Sequence, residues 1–436
     1  MRYTVIPTEL SLSEVEAECR RLEGKNIKVA YRSEQVFVEL EDAAVERLKE
    51  IPGLMVKTIS KFQADQLFRV GPPAAEGGYT TCQPVYASSL ASYWSLFYDF
   101  RELFSPPLTG EGLVCAILDT GIRKTHRTLA GKVTYEANFS DSPDCDDHFD
   151  HGTSVAYLVA GGRHAPGEES GMAPGARVMN IKVLDDDGEG TTESVIMGIN
   201  EVHDLFCEAV YGGLDLGDPM YPNAVNMSFG EEDDGDPDNP VRLAIEKLYQ
   251  ASPGKFPIFC AAGNTGGPVL LPAAAEHAWA VGATTFVPFE LWELSARGSN
   301  VGLVKPEMVF FGVDILCASA KSDDAFVTKS GTSFSSPLAL GQLCLTREAA
   351  GRYGFLEELI ALSYEELEPI VAAISYKPEG VAMGKTSDWG YGMPMGHLLA
   401  QRLGTGGGGV DVSQAVTAMA GVAMVGMMMG SLARVG

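Results

Sequence analysis

The sequence predicts an α/β protein with a doubly wound parallel sheet, preceded by a small α+β module. Three observations carry this. From residue 111 onward apolar runs (LVCAILD, RVMNIKVL, AVNMSF, FPIFCAAG) alternate with helical stretches at 152–162, 192–211 and 240–250. Such alternation argues for a parallel sheet with helices on both faces. The first sixty residues follow a different order, β-α-β-β-α-β. The 436 residues are 45 % hydrophobic and 21 % charged, which excludes a disordered or collagen-like chain and suits one large domain plus smaller parts.

In chain order, residues 2–7 alternate as a short strand. SLSEVEAECRRLEG (11–24) places Leu12, Val15, Cys19 and Leu22 at helical spacing, with Gly24 as the stop. IKVAYR (27–32) and QVFVEL (35–40) are strands around a Ser-Glu turn. DAAVERLKEI (42–51) is an amphipathic helix with Asp42 as the expected N-cap. Pro52-Gly53 ends it, and LMVKTIS (54–60) is the module's last strand. Residues 1–62 are therefore read as a ferredoxin-like module.

Residues 63–107 are a connector, with loop-like GPPAAEGG and the aromatic stretch 89–104 expected to pack on the next domain. The large domain is placed at 108–402 and a Gly-rich linker at 403–411. An apolar tail helix follows at 412–433, 22 residues without a charge. At about 20 residues per ~30 Å of hydrocarbon it is long enough to span a bilayer. Gly426 and Gly430 fit a small-xxx-small packing pattern, so self-assembly is the other reading. No cationic segment followed by an apolar core opens the chain, so no secretory signal is visible. Eight scattered cysteines without a CxxC pair give zinc little support and favour a reducing compartment. The expected location is the cytoplasm or a tail-anchored membrane.

The formal net charge is −26, from 32 Lys+Arg and 58 Asp+Glu. A surface this acidic repels phosphate and argues against a nucleic-acid partner. Five acids fall in 141–150, four in 185–189 and six in 231–238, with no Lys or Arg in any of the three windows. They read as exposed loops.

Four segments carry chemistry. AILDTGI ends an apolar strand in Asp119, at the carboxyl edge where such sheets place their sites. DHGTSVAYLVAGG puts His151 at the start of a helix. IFCAAGN ends a buried strand in Asn264. SGTSFSSP puts Ser333 ahead of an apolar helical run. A serine hydroxyl is a poor nucleophile until an imidazole takes its proton. A buried carboxylate orients that imidazole and stabilises its protonated form. The tetrahedral intermediate needs preplaced donors. Asp119, His151, Ser333 and Asn264 supply one group for each task.

Taken together, ILDTGI, HGTSVA, AAGN and GTSFSSP resemble the subtilisin-like serine proteases, or subtilases, in content, order and context. THRTLAGKV resembles the family's segment after the Asp, so His126 is not expected to be the base. Other matches include MAPGARVMNIKVLDDDGEG, 294–316 and 389–401. The resemblance implies a subtilisin-like catalytic domain over 108–402 and a peptide or protein substrate. It implies serine endopeptidase activity with an Asp119-His151-Ser333 triad, Asn264 as oxyanion donor, and no cofactor for the chemistry. It further implies that a substrate strand lies between Gly188-Glu189-Gly190 and Ser228-Phe229-Gly230, with Ala261, Ala262 and Gly263 lining the pocket before the scissile bond. The N-terminal module resembles the family's propeptide, an inhibitor and folding chaperone, which places a cut within 60–90. Three positions depart from the family pattern: Asp150 before the histidine, Tyr157 in the following helix, and Phe310-Phe311-Gly312.

On this reading the three acidic windows flank one cleft. A field favouring Lys/Arg-rich substrates, a structural calcium and simple solubility all stand open. Two other functions stand beside the hydrolase: a structural or assembly subunit using the apolar tail, and a peptide-processing transferase with the same acyl-enzyme.

Overall fold

A computed structural model of the chain describes residues 1–64, 101, 104–163, 170–251, 256–286 and 288–395. Most of the connector, the Gly-rich linker and the apolar tail lie outside the described residues, as do the expectations attached to them.

The N-terminal module consists of β1 (Arg2–Pro7), α1 (Leu12–Arg21), β2 (Lys25–Ala30), β3 (Gln35–Glu39), α2 (Asp42–Lys49) and β4 (Leu54–Thr58). Its sheet runs β2-β3-β1-β4 with every neighbour antiparallel. Val5, Val36 and Val38 from the strands meet Val15, Cys19, Val45 and Leu48 from the helices in a core of its own. Helix α1 begins at a capping box, with Ser11 and Glu14 satisfying each other's backbone donors. The N-cap of α2 is Glu41, one residue before the Asp42 expected, and neither side chain closes a cap hydrogen bond there. Backbone geometry therefore sets that end.

The chain then forms a further strand that the hydrophobic pattern did not reveal, β5 (Lys61–Ala64). After it come β6 (Val114–Asp119), β7 (Val133–Asn138), α3 (Gly152–Ala160), β8 (Arg177–Lys182), β9 (Glu189–Thr191) and α4 (Thr192–Gly212). These are followed by β10 (Ala224–Met227), β11 (Phe229–Gly230), α5 (Pro240–Gln250), β12 (Ile258–Ala261) and β13 (Trp279–Thr284). The series continues with β14 (Met308–Phe311), β15 (Ile315–Ala318), β16 (Phe326–Lys329) and α6 (Thr332–Tyr353), and closes with α7 (Leu356–Ile360), α8 (Tyr364–Ile374), β17 (Ser375–Tyr376) and β18 (Met393–Pro394).

Seven strands form one parallel sheet in the order β14-β13-β12-β10-β6-β8-β7. From β6 the chain goes to the edge strand β7 and returns to β8 between them, then fills the other side outward from β10 to β14. The winding reverses between β6 and β10, and the carboxyl ends of strands at such a point open a crevice. Every residue of β6, β10, β12 and β13 is buried, as the near-continuous apolar runs of a parallel sheet require.

The two units are joined by β5 and by Ala30, Phe37, Phe62 and Ala64, which enter the large domain's core, and by a set of ion pairs. Arg2 and Lys28 of the module both reach Glu193 on α4. Arg32 pairs with Asp204, Lys57 with Asp236, and Glu34 with Lys247 at 2.8 Å. The module thus presents mostly basic side chains to an acidic partner face.

Candidate active site

Asp119 ends β6 and is 1 % exposed. The Thr120 N–H donates to its Oδ1 at 2.7 Å. His151 is the N-cap residue of α3, and its side chain makes no cap bond, so the ring is free to turn inward. Its Nδ1 lies 2.7 Å from Asp119 Oδ1 with both groups buried. A carboxylate accepts, so Nδ1 carries the proton and Nε2 is left as the basic nitrogen. Nε2 is buried and has no hydrogen-bond partner among the described residues. The following residue must be glycine. A Cβ at Gly152 would stand 2.2 Å from the Gly121 carbonyl and 3.0 Å from Asp119 Cβ. Only its absence lets α3 approach β6 closely enough for the Asp–His bond.

Ser333 lies in the first turn of α6. Pro337, four residues on, has no N–H and leaves the Ser333 carbonyl without its helical partner. Ser228 Oγ donates to that carbonyl at 2.9 Å, and Ser333 Oγ donates to the Ser228 carbonyl at 3.1 Å. Two reciprocal bonds therefore tie the nucleophile candidate to the end of β10. The expected His151–Ser333 hydrogen bond is not made in this conformation, because the hydroxyl is engaged by Ser228. Such contacts often tighten only with substrate bound.

Asn264 follows β12 and is 2 % exposed. Its Oδ1 accepts from Thr332 N–H at 2.8 Å and from Thr332 Oγ1 at 3.0 Å. That fixes the amide and leaves Nδ2 buried with no partner among the described residues. An unmet buried donor costs about 1–3 kcal/mol, and one held so rigidly is suited to an anion that forms only during reaction.

The segments expected to flank substrate are brought together, and they are occupied. β5 lies between β9 and β11 in a three-stranded antiparallel sheet. Phe62 pairs with Gly190, Gln63 with Glu189 and Gly230, and Ala64 with Phe229; Ala64 N–H donates to the Gly188 carbonyl at 2.8 Å. Phe62 is fully buried and meets the Phe229 ring edge-on at 5.8 Å. Lys61 reaches Glu189 at 3.2 Å. Ala261, Ala262 and Gly263 stand at the carboxyl end of β12, leading into Asn264.

Several supporting residues escaped sequence reasoning. Asp147 belongs to an acidic window expected to be exposed, yet it is 4 % exposed. It accepts from Thr120 Oγ1 at 2.8 Å, Asp150 N–H at 2.9 Å and Thr153 N–H at 2.9 Å, and so caps the helix of His151. Asp233, equally buried, pairs with Arg242 at 2.5 Å. Lys182, fully buried, donates to the Thr120 carbonyl beside Asp119. His126 is held by Thr128 Oγ1 at 2.8 Å and the Ala325 carbonyl at 3.0 Å, and burial pushes its pKa down. It is tied into the scaffold, away from the Asp–His pair. Tyr157 packs edge-on against Phe326 at 5.7 Å, and Phe311 against Phe286 at 5.1 Å, so both departures are absorbed into packing. Among the described residues no three His, Cys, Asp or Glu side chains gather to hold a metal, and no helix is long and apolar enough to cross a membrane.

A buried Asp–His pair, a serine at a helix start and a fixed amide thus stand together at the carboxyl edge of a doubly wound sheet. Residues 110–363 match the subtilase family, and the chain belongs to it. It is 33 % identical over 235 residues to "Subtilisin-like protease 1" of Pseudogymnoascus destructans, covering 53 % of this chain and 51 % of that protein. Over 252 residues it is 30 % identical to "Intracellular serine protease" of Paenibacillus polymyxa, covering 55 % and 68 %. "Subtilisin-like protease 3" of Saccharomyces cerevisiae is 30 % identical over 237 residues, covering 54 % and 45 %. The chain spans roughly half to two thirds of the length of these relatives.

Proposed function

We propose that the protein is a serine endopeptidase. His151 Nε2 takes the Ser333 proton, and Oγ attacks the peptide carbonyl. The oxyanion is met by Asn264 Nδ2 and by the Ser333 N–H, one of the helix-start donors that have no intrahelical partner. Asp119 holds the imidazole tautomer and stabilises it once charged. The amine leaves with the proton from His151, and water then releases the acyl group by the reverse path. No cofactor takes part, as in the family. The observation that carries this reading is the set of two buried, unpartnered groups, His151 Nε2 and Asn264 Nδ2, beside Ser333.

The N-terminal module is the enzyme's own inhibitor on this reading. β5 pairs with both cleft edges as a substrate strand would, and its last residue, Ala64, stands opposite Phe229, next to the Ser228 that holds Ser333. The processing cut then falls in the first residues beyond Ala64, inside the 60–90 window. The substrate class favoured is basic. The seated strand places Lys61 on Glu189, and β4 of the module places Lys57 on Asp236, one lysine for each of two acidic windows.

Labelling with a fluorophosphonate probe tests the reading, with Ser333→Ala as control and N-terminal sequencing of the labelled species. Ser333-dependent label and a new N-terminus shortly after Ala64 are expected. Label that persists in Ser333→Ala, or none in a parent chain whose module has been cut and removed, rejects the enzyme.

A further inference from the structure

Lys329 ends β16, and its side chain is 3 % exposed. An ammonium so placed has lost its water and must find oxygens in the protein. It finds them on the segment that leads into α3. Nζ donates to the main-chain carbonyl of Asp150 and, at 2.9 Å, to Ser154 Oγ; Asp150 Oδ2 lies 3.6 Å away. Ser154 Oγ donates onward to the Ala318 carbonyl at 2.7 Å, and Asp150 Oδ1 accepts from Ala320 N–H at 2.5 Å. Asp150 itself sits at φ +75°, in the left-handed region that a non-glycine residue seldom adopts. The peptide unit between Asp150 and His151 is thus gripped at both ends, its carbonyl by Lys329 and its N–H by Asp147 Oδ1 at 3.4 Å. The same ammonium stands 5.9 Å from the centre of the Phe334 ring. That ring follows Ser333 in the chain and packs 5.7 Å from the His151 imidazole.

We propose that Lys329 is a positioning residue for the reaction: by gripping the Asp150 carbonyl it fixes where the His151 ring stands relative to Asp119 and Ser333. This rests on the reading of His151 as the general base. Lys329 touches neither substrate nor the reacting atoms. Its effect passes through one peptide unit, and a displacement of about 1 Å at a catalytic group can cost about 100-fold in rate.

The deciding variant is Lys329→Met/Asp150→Asn in the full chain. Lys329→Met alone would leave the half-buried Asp150 carboxylate without its cation, which can destabilise the region. The double variant removes both charges, keeps a residue tolerant of the left-handed conformation, and deletes only the grip. With active sites titrated by the fluorophosphonate, kcat on a short peptide is expected to fall about 10- to 100-fold while KM stays within about threefold. In the Ser333→Ala background, the downfield proton NMR signal of the His151 Nδ1–H bonded to Asp119 is expected to broaden or vanish. A double variant with unchanged circular dichroism that keeps kcat within twofold and retains that signal overturns the proposal. So does a rise in KM at constant kcat. A parent chain that, with its module cut and removed, neither hydrolyses peptide nor takes the label defeats the protease reading instead, and the proton signal still decides whether Lys329 holds the imidazole.

Discussion

Phe62→Ala is expected to open the cleft. Phe62 is fully buried and meets Phe229 at 5.8 Å. Losing a buried aromatic side chain removes about 1.5–3 kcal/mol of burial, and its edge-on partner adds about 0.5–1.5 kcal/mol. The four residues of β5 also hold main-chain bonds to both edges, which the substitution leaves in place. A net loss of about 2–4 kcal/mol raises the fraction of molecules with an unseated strand about 30- to 700-fold, at about 1.4 kcal/mol per tenfold. On the proposal that the seated β5 keeps the probe from Ser333, the labelling rate reports that fraction directly. The assay is the rate of fluorophosphonate labelling of chains that still carry residues 1–64, checked by mass. Tyr31→Ala serves as control, since Tyr31 is 70 % exposed. An equal labelling rate for parent and Phe62→Ala, both folded, would refute the idea that β5 blocks the site.

Asn264→Ala should lower kcat about 100- to 1000-fold with little change in KM, and a drop under fivefold would remove Asn264 from the oxyanion site. Burial, helped by the nearby charges of Asp234 and Asp233 and opposed by a hydrogen bond from Ser60, pushes the Glu231 carboxyl up to about 7. Its folded pKa exceeds its unfolded one, so its contribution is present at about pH 4 and is lost as pH rises through 7. Denaturant melts of the Ser333→Ala chain should therefore show stability falling between pH 5 and pH 8, less steeply in Glu231→Gln; parallel curves would exclude the group. Glu189→Gln should reduce the preference for lysine at the position Lys61 occupies by only about two- to fivefold, because the pair is exposed to water. Competition between matched lysine and norleucine peptides at low salt would measure it, and an unchanged ratio would discard Glu189 as a determinant.

The parallel sheet was legible because a buried strand must be apolar along its whole length. LVCAIL, AVNM and IFCA announce themselves for that reason. The four chemical groups were legible because each sits at a strand end or helix start, and the structure brings Asp119 and His151 into contact. β5 was not legible. KFQA has no core of its own to pattern it, and it becomes a strand only because β9 and β11 offer unpaired edges on both sides. The supporting shell was hidden for another reason. Asp147 and Asp233 have the same side chain as their exposed neighbours, and only tertiary placement makes one a helix cap and the other an ion-pair partner.

This divides the acidic excess into parts with different consequences. Asp147 and Asp233 serve the fold, so removing them should cost stability whatever the substrate. Glu189 faces Lys61 of the seated strand and Asp236 faces Lys57 of β4, both across partly wet surface. Their attraction is screened beyond about 8 Å at physiological salt, so they steer approach more than they hold the product of it. A cleft built this way would capture basic segments quickly and release them quickly. The module remains seated through Phe62 and the paired backbone of β5, with the ion pairs guiding it into register. Raising salt should therefore slow reassociation of the cut module far more than it speeds departure. Equal sensitivity of the two rates would place the binding energy in the charges and contradict the assignment of Phe62 as the anchor.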